Sequence, residues 1–161
     1  MRTLITKIFK TKAKISLRST GYRDVYLGSV VITSWLLKEG LVFNKVKSQV
    51  DIPRWIFKKP EFIRRFLRGF FDTDGSIYEL RFGIQISLSN KSQPLLQSLH
   101  KLLFKLGYNP SAVSADRVYL TRIPDVKRFF AEIQPKNQKH RKRFKQFISM
   151  RRSDSGYSSA L

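Results

Sequence analysis

Two carboxylates set two residues apart, Asp72 and Asp74, close an apolar stretch that reads Phe66-Leu67-Arg68-Gly69-Phe70-Phe71-Asp72-Thr73-Asp74-Gly75-Ser76. Ile63, Phe66, Leu67 and Phe70 recur at helical spacing, which predicts a helix over 60–75. Pro60 and Glu61 suit its first turn: proline has no N–H to leave unpaired there, and an acid favours the positive end of the dipole. Gly75 is expected to end it in the left-handed conformation. Both acids then fall in the last turn, at the negative end of the dipole, where carboxylates are disfavoured. They call for a compensating cation, either an arginine or a divalent metal. A metal clamped by carboxylates from two sides can activate water and offset the charge that develops when a phosphodiester is cleaved.

Partners follow from charge. The 161 residues carry 32 Lys+Arg against 11 Asp+Glu, a net charge of +21, which implies a polyanion and most simply nucleic acid. The length suits one domain or slightly more, and 42% hydrophobic with 13% aromatic content argues against disorder. The absence of cysteine excludes disulfides, zinc–thiolate sites and thiol catalysis. No apolar run approaches the roughly 20 residues of a membrane span, and the N-terminus lacks a signal peptide's apolar segment. The expectation is an intracellular protein, cytoplasmic or organellar, with no membrane partner. His100 and His140 are the only histidines, and neither has the neighbours of a metal site.

The elements that position the acids can be read in order. Residues 2–10 predict a short amphipathic helix, 13–18 and 25–27 two strands around a Ser19–Gly21 turn, and 29–39 a helix with Ile32, Trp35 and Leu36 inward, ended by Gly40. A basic connector, 41–51, leads through Ile52-Pro53 to the acid-bearing helix. Beyond it, 76–80 and 82–89 predict a hairpin. Phe82, Ile84, Ile86 and Leu88 share its core face, and Arg81, Gly83, Gln85, Ser87 and Ser89 share the other. That second face is polar and uncharged apart from Arg81, which suits base edges in a major groove. An ordinary solvated sheet face has the same pattern. A helix over 93–106 carries Leu95, Leu96, Leu99, Leu102, Leu103 and Leu106 inward, with Gly107 as its cap. Residues 112–114 and 117–121 predict another hairpin. A helix over 124–133 has Val126, Phe129 and Phe130 inward, and Gln134-Pro135 breaks it before a basic helix over 138–150. The tail, 153–161, is small and polar and is expected to be disordered.

Gly69 and Thr73 lie four apart, so two small side chains share one face of the acid-bearing helix and let a partner helix approach. With Leu67, Gly69, Asp72, Asp74 and Gly75 in register, the stretch resembles the LAGLIDADG motif of the homing-endonuclease family. Phe70, Phe71 and Thr73 are ordinary variants of it, and Arg68 replaces its alanine. The resemblance implies an α+β fold: an αββαββα half-domain with an antiparallel DNA-binding sheet. It also implies a seam of Leu67, Gly69 and Thr73 against the motif helix of a second half.

An internal repeat supports a second, partial half-domain. Leu4-Ile5-Thr6-Lys7-Ile8-Phe9 resembles Leu99-His100-Lys101-Leu102-Leu103-Phe104, and Val25-Tyr26-Leu27 resembles Val118-Tyr119-Leu120. The division expected is therefore a partial half-domain over 1–50 and a half-domain over 51–152, with the tail beyond. The chain looks like a two-motif member lacking its first motif helix and hairpin, and Ile52-Pro53 resembles the linker into a second motif. The rival is a single-motif member that forms a homodimer, with 1–50 as an extension.

By the same resemblance, the activity expected is site-specific cleavage of double-stranded DNA with Mg2+, in a protein borne by an intron or intein. Asp74 is the expected metal ligand and catalytic acid, and its counterpart would come from the second half. Lys139, or failing it Lys136, is the expected catalytic lysine, and Asn90 or Gln85 the accompanying polar group. Lys136, Arg141, Lys142, Arg143 and Lys145 most simply contact phosphates. A non-cleaving DNA-binding protein or an intron-RNA maturase on the same scaffold is the alternative.

Overall fold

A computed structural model describes residues 2–43, 48–81 and 83–154, with side chains from 3 to 150. The chain divides into two compact units, Met1–Leu41 and Val42–Leu161. The first holds helix α1 (Arg2–Phe9), strands β1 (Lys14–Leu17) and β2 (Arg23–Tyr26), and helix α2 (Val30–Lys38). β1 and β2 pair antiparallel from Lys14↔Tyr26 to Leu17↔Arg23. Ser29 caps α2, its hydroxyl accepting from the Ile32 N–H at 3.3 Å. Ala13 is the one buried hydrophobic residue of this unit among those described. Trp35, expected inward, is 51% exposed, and Ile32 and Leu36 are half-buried. Leu4, Ile8, Ile15, Leu17, Val30 and Val31 are exposed as well, so the two short helices and one hairpin leave much of their apolar surface uncovered.

The second unit contains the core. A 3-10 turn, Arg54–Lys58, leads into α3 (Pro60–Asp74), β3 (Gly75–Leu80) and β4 (Gly83–Ser89). Then come α4 (Gln93–Lys105), β5 (Arg117–Leu120), α5 (Ile123–Glu132) and α6 (Gln138–Asp154). The sheet runs β3-β4-β5, antiparallel throughout. This is the expected α+β half-domain, with one reduction: the strand before β5 is a single bridge, Ser114↔Arg117. The period-3.6 and period-2 faces meet as predicted. Ile63, Leu67 and Phe71 of α3, Leu96, Leu99, Leu102 and Leu103 of α4, and Phe129 of α5 pack with Ile77, Ile84, Ile86 and Leu88. Phe71 meets Phe129 edge to face, with centroids 5.2 Å apart. Leu106 and Phe130 are partly buried against this cluster. Phe82, the fourth expected core residue of β4, lies outside the described residues, as do 44–47 of the connector and 155–161 of the tail.

A polar knot ties the helices behind the sheet. Buried Tyr108 donates its hydroxyl to Glu132 at 3.1 Å, and the Arg128 guanidinium lies 4.0 Å from the Tyr108 ring centroid. Arg128 also donates to the Leu106 carbonyl at the end of α4 and pairs with Glu132 at 3.3 Å.

Candidate active site and nucleic-acid face

The end of α3 departs from the sequence expectation in an informative way. Gly75 is not left-handed. It has φ −88 and ψ 162 and starts β3 directly, without an intervening turn. Glycine is required there by space: a Cβ would overlap the Phe71 ring and stand 2.6 Å from the Phe71 carbonyl oxygen. Helix therefore passes into strand over the backbone of its own last turn, and Asp72 and Asp74 sit at that junction.

The two acids are used differently. Both Asp72 carboxylate oxygens accept the Lys136 N–H at 2.9 Å, and one accepts the Asn137 N–H at 2.9 Å. The Asn137 side chain donates to the Asp72 carbonyl at 2.9 Å, while its own oxygen accepts the Lys139 N–H at 3.0 Å. Asn137 is thus the N-cap of α6. The charge of Asp72 is compensated by amides at the positive end of α6, neither an arginine nor a metal being needed. Asp74 is exposed, and its carboxylate makes no hydrogen bond or ion pair among the described residues.

α6 reaches the site because one of its faces is apolar. His140 is 5% and Phe147 3% exposed, and Phe144 stacks on Phe130 with centroids 4.0 Å apart. Lys139, Arg141, Lys142 and Lys145 are exposed on the rest of the helix. Lys136 and Lys139 are carried to the Asp72 end of α3 by the bonds just described. Arg143, expected at phosphates, donates one guanidinium nitrogen to the Ile77 carbonyl at 3.1 Å. Asn90 has a local structural part, its side chain accepting the Ser92 N–H at 2.9 Å before α4.

Register sets the open face of the sheet. Tyr78 stands opposite Gln85, Ser76 opposite Ser87, Ser87 opposite Tyr119, and Ser89 opposite Arg117. Gly83 and Gln85 are half-buried and Arg81 is exposed, but Ser87 is 2% exposed and is covered between its neighbours on β3 and β5. Sequence reasoning missed Tyr78, which the period-2 rule places on this face from the β3–β4 hairpin alone, and Arg117 and Tyr119, which it would have placed there had β5 been paired to β4. Arg117 is held in its charged form first by a hydrogen bond with Tyr119 and then by Asp116 beside it. Of the expected helix seam, Gly69 and Thr73 are exposed and a Cβ at Gly69 would meet nothing within 4 Å. Leu67 is elsewhere: it is fully buried in the core of its own half, because it faces the sheet rather than that seam.

A helix that ends in Asp-Thr-Asp-Gly and feeds an antiparallel sheet with one open face defines a LAGLIDADG half-domain. Residues 61–134, a little under half of the chain, match the family described as a LAGLIDADG-like domain. Such domains belong to homing endonucleases and related DNA-binding proteins, and they pair with a second half. The chain is also 32% identical over 109 residues to a DNA polymerase of Thermococcus hydrothermalis. That match covers 65% of this chain and 6% of the polymerase. No helix among the described residues is long and apolar enough to cross a membrane.

Proposed function

We propose that this chain is a site-specific, metal-dependent endonuclease of double-stranded DNA, of the homing type, that works with a second LAGLIDADG half. The observation that carries the reading is the unequal use of the two acids. Asp72 is spent on the fold, whereas Asp74 has no hydrogen bond or ion pair among the described residues of a protein of net charge +21. A protein that only bound DNA would gain nothing from an unpaired carboxylate facing phosphates.

Among the described residues no three His, Asp or Glu side chains stand together to hold an ion. Magnesium asks for less, since one or two carboxylates with phosphate oxygens and waters suffice. Asp74 fits one share of such a site, and a carboxylate from the second half supplies the other. When bound, the ion would lower the pKa of a water and neutralise charge on the phosphate. Lys139, on the first turn of α6, supplies a positive charge at the same end. The open face of β3, β4 and β5 reads bases, and the exposed lysines and arginines of α6 meet phosphates. A match confined to 6% of a polymerase chain fits an element carried within a host gene, an intein or an intron-borne frame.

The lack of a complete ligand set within the described residues favours a second reading, a DNA-binding protein or intron-RNA maturase that does not cut. Cleavage of a randomised duplex library in magnesium, read by sequencing the cut ends, separates the two. Asp74→Asn should abolish cutting while DNA binding stays equal or tightens. Equal cutting by the variant removes Asp74 from the mechanism, and tight binding without cutting by the parent chain supports the second reading.

A further inference from the structure

We propose that Asp72 is a positioning residue for Lys139, acting through Asn137, so that the first acid of the motif fixes where the lysine stands relative to the second. The inference rests on the roles of Asp74 and Lys139 given above. Its basis is a continuous hydrogen-bonded path. The Asp72 carboxylate holds the Asn137 N–H at 2.9 Å, Asn137 returns its side-chain amide to the Asp72 carbonyl at 2.9 Å, and the Asn137 oxygen holds the Lys139 N–H at 3.0 Å. The Arg141 N–H donates to the Asn137 carbonyl at 3.1 Å, which completes the first turn of α6 around the same residue.

The rest of α6 is held differently. Phe144 and Phe147 anchor it to the core by apolar contact, which is non-directional and tolerates small slides and rotations. Its directional bond to the sheet, from Arg143 to the Ile77 carbonyl at 3.1 Å, lies a full turn beyond Lys139. Hydrogen bonds do not tolerate slides and rotations, because they weaken steeply off axis. The apolar face therefore decides that α6 lies on the core, and the Asp72–Asn137 pair decides where its first turn begins. Lys139 needs such help, since its ammonium is exposed and makes no hydrogen bond or ion pair among the described residues. Its side chain is placed by its backbone alone. The same pair ties that backbone to the turn that carries Asp74, two residues from Asp72.

Two measurements on the full chain test this. In hydrogen exchange, the Lys136, Asn137 and Lys139 amides should be protected, and Asp72→Ala should speed their exchange about tenfold or more while leaving β4 and α4 amides unchanged. Should Asp72→Ala fail to fold, Asp72→Asn serves in its place, because it keeps the size of the side chain but gives up the charge and one of the two acceptor oxygens. Unchanged exchange at Lys139 in that variant overturns the proposal. The second measurement is a double-mutant cycle in cleavage at saturating duplex. Asp72→Ala or Asp72→Asn should lower kcat about tenfold or more with duplex affinity within about twofold. Neither should cause further loss when added to Lys139→Ala. Additive losses mean that Asp72 does not act through Lys139, and they overturn the proposal. A parent chain that never cuts, alone or with a second half supplied, defeats the nuclease reading, while amide exchange still decides whether Asp72 holds the lysine turn.

Discussion

The imidazole of His140 lies 4.7 Å from the ring of Phe71, centroid to centroid, and presses the start of α6 onto the last turn of α3. The contact leaves His140 Nδ1 buried with no hydrogen-bond partner among the described residues. Burial pushes the pKa of the imidazole below its ordinary 6.5. The Asp72 charge and the Phe71 carbonyl pull it back up, while Arg143 and Lys139 push it further down. The unfolded chain therefore binds this proton more tightly than the folded one. Stability from this group is present above pH 6.5 and is lost as pH falls through that value towards the lower folded pKa. Denaturant unfolding between about pH 7 and 5 should show this loss, and His140→Phe, which keeps the ring contact, should flatten it. An unchanged slope in the variant would assign the loss to other groups.

Tyr108 gives the opposite window. Its pKa is pushed up to about 12, first by burial, with Glu132 adding to the shift and the hydrogen bond to Arg128 opposing it. The folded pKa lies above the unfolded value of 10, so this contribution is intact below pH 10 and is lost between pH 10 and about 12. Tyr108→Phe should cost about 1 kcal/mol at neutral pH through the lost bond to Glu132. It should also remove part of the alkaline unfolding, as followed by circular dichroism.

Two glycines of α3 and its exit should respond oppositely to alanine. At Gly75 the methyl would meet the Phe71 backbone within 2.6 Å, and overpacking of this kind costs about 1–3 kcal/mol or more. At Gly69 nothing lies within 4 Å, so alanine should stabilise the free chain by about 0.5–1 kcal/mol through helix propensity. Thermal melts of the two variants decide this. A drop for Gly69→Ala at low concentration would mean that its face is already covered.

The sheet and α6 should divide specificity from affinity. Arg117→Ala, on the open face beside Tyr119, should relax preference at one position of the bound duplex at a cost of about 1–3 kcal/mol. Lys142→Ala should weaken all duplexes alike and reduce the salt slope of binding by about one. Binding to a panel of duplexes at several salt concentrations distinguishes the two. A uniform loss for Arg117→Ala would make it a phosphate contact.

Legibility in the sequence followed the range of the interactions. The helical spacing of Ile63, Leu67 and Phe70 and the leucines of α4 predicted which faces are buried, because a single element carries that signal. Trp35 failed because amphipathicity says which face wants cover and not whether the cover exists. Ser87 was placed correctly by alternation, yet its burial depends on Ser76 and Tyr119 across two strand pairings. The compensation of Asp72 was hidden for a different reason. Its partners lie 64 and 65 residues away and are backbone amides, which have no signature of their own. Asn137 alone offered a clue, being an N-cap residue two positions after Pro135 and just ahead of a basic amphipathic run.

Because Asp72 grips position 136 through its backbone N–H, the grip is indifferent to the side chain there. Any residue except proline, which has no N–H, keeps the junction intact, so Lys136 can be exchanged for neutral, acidic or aromatic residues without moving the frame behind it. A protein anchored in this way can drift towards new DNA sequences one surface residue at a time while its working end stays in place.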